Sequence, residues 1–158
     1  MSFEWLSPDD ARQVLGYLEE RFGIPADALA GCRLLRRGGY VCALRAESEP
    51  LARELQAAGG GLRLVKETGP GRFKPATRGM QVLGRLARRN VIDLDDATLR
   101  GLLQGQTVPV AEEGRGFVLL RWDGGIVGVG LLRAGQLVAQ IPRTVTEHLR
   151  LPGEGPVL

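Results

Sequence analysis

Lysine is almost missing from this chain. Only Lys66 and Lys74 occur, and the other 19 of the 21 basic residues are arginine. A GC-rich genome produces such a bias. Arginine also forms forked contacts to phosphate that lysine cannot, so the bias permits nucleic-acid binding without requiring it. Cysteine is limited to Cys32 and Cys42, which leaves no disulfide framework and no metal site and fits a reduced cytoplasm. The single histidine, His148, has no nearby serine or cysteine suited to act as a nucleophile. No apolar stretch approaches the ~18 residues needed to cross a bilayer. Met1 to Pro8 lacks the basic run and apolar core of a signal peptide. Aromatic residues make up 5% of the chain. Tyr40, Phe73, Phe117 and Trp122 are the ones available for stacking on bases. Phe117 and Trp122 lie in β-segments and are expected in the core, whereas Phe73 lies in a basic turn and is expected to be exposed.

What is present suits a globular chain of one large domain or two small ones: 158 residues, 44% of them hydrophobic. Ser7, Pro8, Asp9 and Asp10 open a first helix, and Ala11, Val14, Leu15, Leu18 and Phe22 share one face of it. Gly23 and Pro25 stop it. Cys32 to Arg37 and Tyr40 to Ala46 form a hairpin about Gly38-Gly39. That register pairs Leu35 with Cys42 and Arg45 with Cys32, so the cysteines stand three rows apart, too far for a disulfide. Pro50 to Ala58 is a short helix and Leu62 to Val65 a short strand. Gly69, Pro70 and Gly71 turn the chain, Pro75 to Arg89 reads as a helix, and Val91 to Leu94 as a strand. Asp95 caps a helix through Leu103. Thr107 to Val110, Gly116 to Trp122, Ile126 to Leu132 and Gln136 to Gln140 read as strands, with turns at Asp123-Gly124-Gly125 and Ala134-Gly135. Short strands joined by tight turns predict a small sandwich or barrel.

Charge is unevenly placed. Residues 1–62 carry seven arginines against nine acids, a net of −2, and residues 91–158 carry six against eight, again −2. Residues 63–90 carry eight basic groups against Glu67 alone, a net of +7. On a continuous helix Lys74, Arg78, Arg85 and Arg89 fall within about 60° of each other with Arg88 beside them, while Met80, Leu83, Leu86 and Ala87 face the other way. No acid interleaves from Arg72 to Asn90. A merely solvated helix usually carries both signs, whereas a stripe of one sign is what a phosphate backbone attracts.

Glycine-rich segments do not add a nucleotide loop. Gly124 to Gly130 lies within and between strands, not between a strand and a helix, so Gly128 and Gly130 are expected to let another backbone approach. Gly69 to Lys74 lacks the Gly-Lys-Ser/Thr ending of a phosphate loop and reads as an exposed turn. Asp93, Asp95 and Asp96 read as helix-start residues. No cofactor is implied.

The second half resembles a known family. Val91-Ile92-Asp93-Leu94, a helix to Leu103, Gly105-Gln106, Gly116 to Leu120, Ile126 to Leu131, Gly135-Gln136-Leu137 and Gln140-Ile141-Pro142-Arg143 together are similar to a PUA-like domain, the small RNA-binding barrel of pseudouridine synthases and archaeosine transglycosylases. The likeness is greatest to the C-terminal version in Sun-type rRNA cytosine methyltransferases. There a glycine-spaced strand, a glycine turn and a proline before a basic residue correspond to Gly128, Gly130, Gly135, Pro142 and Arg143. Those tails often carry Lys-Asn where this chain has Ala139-Gln140. The first half, through Lys74-Pro75-Ala76-Thr77, resembles the pre-PUA region of ribosome-biogenesis proteins that pair a pre-PUA with a PUA domain. The chain has neither room for a methyltransferase domain nor a cofactor loop.

The resemblance implies an α+β protein, with a small α/β pre-PUA-like domain over 1–89 packed on a PUA-like β-barrel over 90–158. It implies a non-catalytic, cytoplasmic protein that binds structured rRNA or tRNA in ribosome biogenesis or RNA modification. An RNA-modification or ribosome-assembly protein would be a further partner. Arg72, Phe73, Lys74, Arg78, Arg85, Arg88, Arg89 and Arg143 are the expected RNA contacts. The alternative is an adaptor whose basic helix meets an acidic protein, docking on an assembly factor or a methyltransferase.

Overall fold

The computed structural model describes residues 3–54 and 61–140. Arg143 and His148 lie outside the described residues, as do the expected end of the second helix and Pro142.

The chain is α+β, with two five-stranded sheets. The first sheet has the order β1-β2-β3-β4-β5: β1 Glu4–Trp5, β2 Cys32–Arg37, β3 Tyr40–Arg45, β4 Leu62–Gly69 and β5 Arg72–Pro75, all antiparallel. The second has the order β6-β8-β9-β10-β7: β6 Val91–Asp93, β7 Val108–Pro109, β8 Gly116–Trp122, β9 Gly125–Arg133 and β10 Gln136–Ala139. It curls into a half-barrel, and β6 runs parallel to β8 while its other neighbours are antiparallel. Helix α1 is Pro8–Phe22, α2 Glu49–Glu54, α3 Thr77–Leu83 and α4 Asp96–Leu103.

Local chemistry accounts for these elements. The Ser7 side chain accepts from the Asp10 amide at the start of α1, and Gly23 closes it in the left-handed conformation at φ 70°. Asp95 caps α4 by accepting from the Thr98 amide. Three hairpins turn on two residues with positive φ, at Gly38-Gly39, Asp123-Gly124 and Ala134-Gly135, the geometry that follows the twist of the flanking strands. Cys32 pairs with Arg45 and Leu35 with Cys42, as the spacing predicts, and both thiols are free.

The expected helix from Pro75 to Arg89 is not continuous. Pro75 ends β5, α3 stops at Leu83, and a single 3-10 turn covers Gly84–Leu86. The chain then extends to Asn90, whose φ of 56° turns it into β6. Two glycines set how closely this segment packs. A Cβ on Gly79 would stand 2.3 Å from the Arg63 carbonyl oxygen, and one on Gly84 would stand 2.6 Å from Ile126 Cγ1. Helix α3 is therefore wedged between β4 and β9 at distances that only glycine allows. The Gln81 amide donates to the Val127 carbonyl at 3.1 Å and fixes the second contact.

One core consequently spans both sheets. Val14, Leu18 and Phe22 of α1, Val41 and Val65 of the first sheet and Met80 of α3 pack with Leu119 and Val129 of the second sheet. On the other face of β8, Val118 and Leu120 join Leu99 and Leu102 of α4, with Leu137, in a second core. Strand alternation sends Leu119 one way and its neighbours the other.

Candidate nucleic-acid interface

The residues from 63 to 90 that carry the positive charge fold into a β-hairpin, a short helix and an extended segment. The arginine stripe expected along one helix therefore does not form. Arg78 and Arg85 remain exposed on the outer side of α3 and its 3-10 extension. Val82, 51% exposed, and Leu86, 38% exposed, belong to the same segment. Leu86 was expected on the buried face; the change from α to 3-10 winding after Leu83 rotates it outward. Arg72 is exposed at the tip of the β4–β5 hairpin.

The four other expected contacts in this segment are tied to the fold by a side chain or, for Arg88, by the backbone amide. Phe73 is half-buried rather than exposed, because strand β5 points its ring inward against Tyr17, with centroids 5.4 Å apart. Burial there pushes the Tyr17 hydroxyl up to about 12. Arg89 donates to the Glu19 and Glu20 carbonyls at the open end of α1, where a cation is favoured by the helix dipole. Arg88 keeps an exposed side chain, while its amide donates to the Phe22 carbonyl at 2.7 Å. Lys74 is half-buried on β5, and its Nζ donates to Gln140 Oε1 at 3.0 Å.

The first sheet gathers basic residues that the sequence pattern concealed. Arg37, Tyr40, Lys66 and Lys74 are paired in register across β2, β3, β4 and β5, so they stand in one row on one face. Arg63 joins them, its guanidinium 4.4 Å from the Tyr40 ring centroid, and Lys66 Nζ lies 5.9 Å from the same centroid. A bulge makes this possible. Val41 pairs with Val65 but Cys42 pairs with Arg63, so β4 holds one extra residue. Leu64 and Val65 both turn into the core, while Arg63 and Lys66 both face out. Glu67 points to the opposite face and bonds Arg36, so it does not neutralise the row.

The remaining carboxylates have structural work. Arg121 grips Asp93 with two hydrogen bonds, of 2.5 and 2.9 Å, across the parallel β6–β8 pair, which corrects the expectation that Asp93 belongs to a helix start. Those bonds hold the Asp93 carboxyl below its ordinary value. Asp96 sits in the first turn of α4 and accepts from Trp122 Nε1 at 2.7 Å. Gly130 is packed rather than open, since a Cβ there would meet Leu137 Cδ1 at 2.9 Å. Among the described residues no group of three or more His, Cys, Asp or Glu could hold a metal ion, and no helix is long and apolar enough to cross a membrane.

Residues 89–146 match the family model described as the methyltransferase RsmF PUA domain. This part of the chain is a PUA-like domain. The match takes in the whole second sheet and α4, the part whose glycine and apolar pattern carried the resemblance. A PUA domain suggests RNA binding in general. No curated protein matches the chain.

Proposed function

We propose that this chain is a non-catalytic, cytoplasmic RNA-binding protein that holds structured rRNA or tRNA during ribosome biogenesis or RNA modification. The observation that carries this reading is the PUA-like domain over 89–146. The segment before it, with net charge +7 over residues 63–90, supplies the electrostatic attraction that the second half lacks. In this reading residues 1–89 act as a pre-PUA-like unit packed on a PUA-like barrel over 90–158. Arg72, Arg78, Arg85 and Arg88, which present exposed side chains, make the phosphate contacts from the first half, with Lys74 at the junction. Arg143, within the matched residues 89–146, adds a contact. Phe73 and Arg89 serve chiefly to hold the fold.

The test is fluorescence anisotropy with labelled rRNA fragments over a range of salt, for the wild type and for Arg78→Glu/Arg85→Glu. Reversing two phosphate-facing charges should weaken binding roughly tenfold or more and flatten the dependence of log K on log salt. Unchanged affinity and slope would show that α3 is not part of the RNA face.

A further inference from the structure

We infer that the outer face of the first sheet is a second RNA-contact surface, a track for the phosphate backbone formed by Arg63, Lys66 and Lys74 around Tyr40. The inference rests on the RNA-binding reading above and extends it to residues outside the Arg72–Arg89 segment. Three observations lead to it. The row from Arg37 on β2 to Lys74 on β5 crosses three inter-strand steps, about 14 Å at the usual strand spacing, and no acid interrupts it. Tyr40 carries Arg63 over its ring, which holds a planar guanidinium on a rigid base with its donor edge available to phosphate oxygens. The row also runs into the PUA-like domain. Its last member, Lys74, bonds Gln140 immediately beyond β10, so the track reaches the matched domain. A strand leaving the PUA-like domain past Gln140 meets Lys74 first, then Lys66 and Arg63.

An anionic backbone is the occupant that this chemistry selects. Like charges opposite each other on adjacent strands repel unless a polyanion lies across them, and an ammonium has three donors, of which Lys74 gives one to Gln140. Among the described residues Glu49, the acid beside this face, is taken up by Arg33 and Arg53, and Glu67 is turned away to Arg36.

The experiment compares wild type, Arg63→Gln/Lys66→Gln and Lys66→Arg, using a fluorescein-labelled RNA hairpin with a single-stranded tail and vesicles of anionic phospholipid. Both altered positions are exposed on the strand face, and circular dichroism checks that the sheet is retained. The double variant should bind the RNA about tenfold more weakly, with the salt slope reduced by roughly 1.4 to 1.8, the loss expected for two phosphates. Lys66→Arg, which keeps the charge, should bind as the wild type does. If the double variant keeps the wild-type affinity and slope, the track is refuted while the RNA-binding function stands. If the wild type itself shows no salt-dependent RNA binding, both fall together. Loss of vesicle binding with RNA binding intact would also overturn the track, assigning the face to a membrane surface.

Discussion

Among the described residues with positive φ, Ala134 is the one that is neither glycine, asparagine nor aspartate. It takes φ 50° as the first residue of the β9–β10 turn, a left-handed conformation that costs an ordinary L-residue about 1–2 kcal/mol. Asparagine tolerates it and is the favoured residue there before glycine. Ala134→Asn should therefore raise stability by about 0.5–1 kcal/mol, measured by urea denaturation, with no change in RNA affinity. A second residue-scale effect concerns acid. Asp93 and Asp95 are held below the ordinary carboxylate value, by the bonds from Arg121 and from the Thr98 hydroxyl and amide respectively. Each folded value lies under its unfolded one, so the stability these carboxylates supply is complete above the unfolded value and drains away as pH falls through the folded one. The melting temperature should decline below about pH 4, and Asp93→Asn should flatten part of that decline. A scan of melting temperature against pH checks both.

At the scale of elements, α3 decides how the two sheets meet. Gly79→Ala places a methyl against the Arg63 carbonyl and Leu64 Cα, both backbone, so the helix must move off β4. Overpacking of that kind costs about 2–3 kcal/mol, more than the ~1 kcal/mol of helix propensity that alanine restores. Gly84→Ala meets the Ile126 side chain, which can rotate, and should cost less; equilibrium unfolding of both variants tests that order. These two glycines also mark where the sequence misleads. Helical spacing of Met80 and Leu83 extends on paper through Leu86, and a glycine in such a pattern reads only as a tolerated weakness. Here each glycine is a contact point with a strand distant in sequence, a fact of tertiary packing that no periodicity carries. The hairpin of β4 and β5 was hidden for a related reason: the adjacent apolar pair Leu64-Val65 breaks strand alternation because of the bulge. By contrast, the caps of α1 and α4 and the three two-residue turns were legible because they are local. The candidate interface divides in the same way. Net charge located its segment, but which arginines are free, which one closes α1 and which row Lys66 joins depended on pairings across the fold.

For the whole molecule, the shared core determines how it unfolds. Leu119 and Val129 belong to the second sheet yet pack with Leu18, Phe22 and Met80, and Ile126 closes on Gly84. Further ties cross the same junction: Arg21 donates to the Phe117 carbonyl at 2.7 and 2.9 Å, and Asn90 Nδ2 donates to the Arg21 carbonyl at 2.6 Å. Neither sheet has a complete core without the other. The chain should therefore melt in one cooperative transition, with calorimetric and van't Hoff enthalpies in agreement. A fragment holding residues 90–158 alone keeps the second core of Leu99, Leu120 and Leu137 but uncovers one whole face of β8 and β9. An exposed apolar face of that kind invites association or loose packing. The fragment should bind a hydrophobic dye and lose near-ultraviolet dichroism while retaining β-structure. A fragment with sharp melting and no dye binding would show instead that the PUA-like domain closes its own core, and that α3 contributes charge rather than cover.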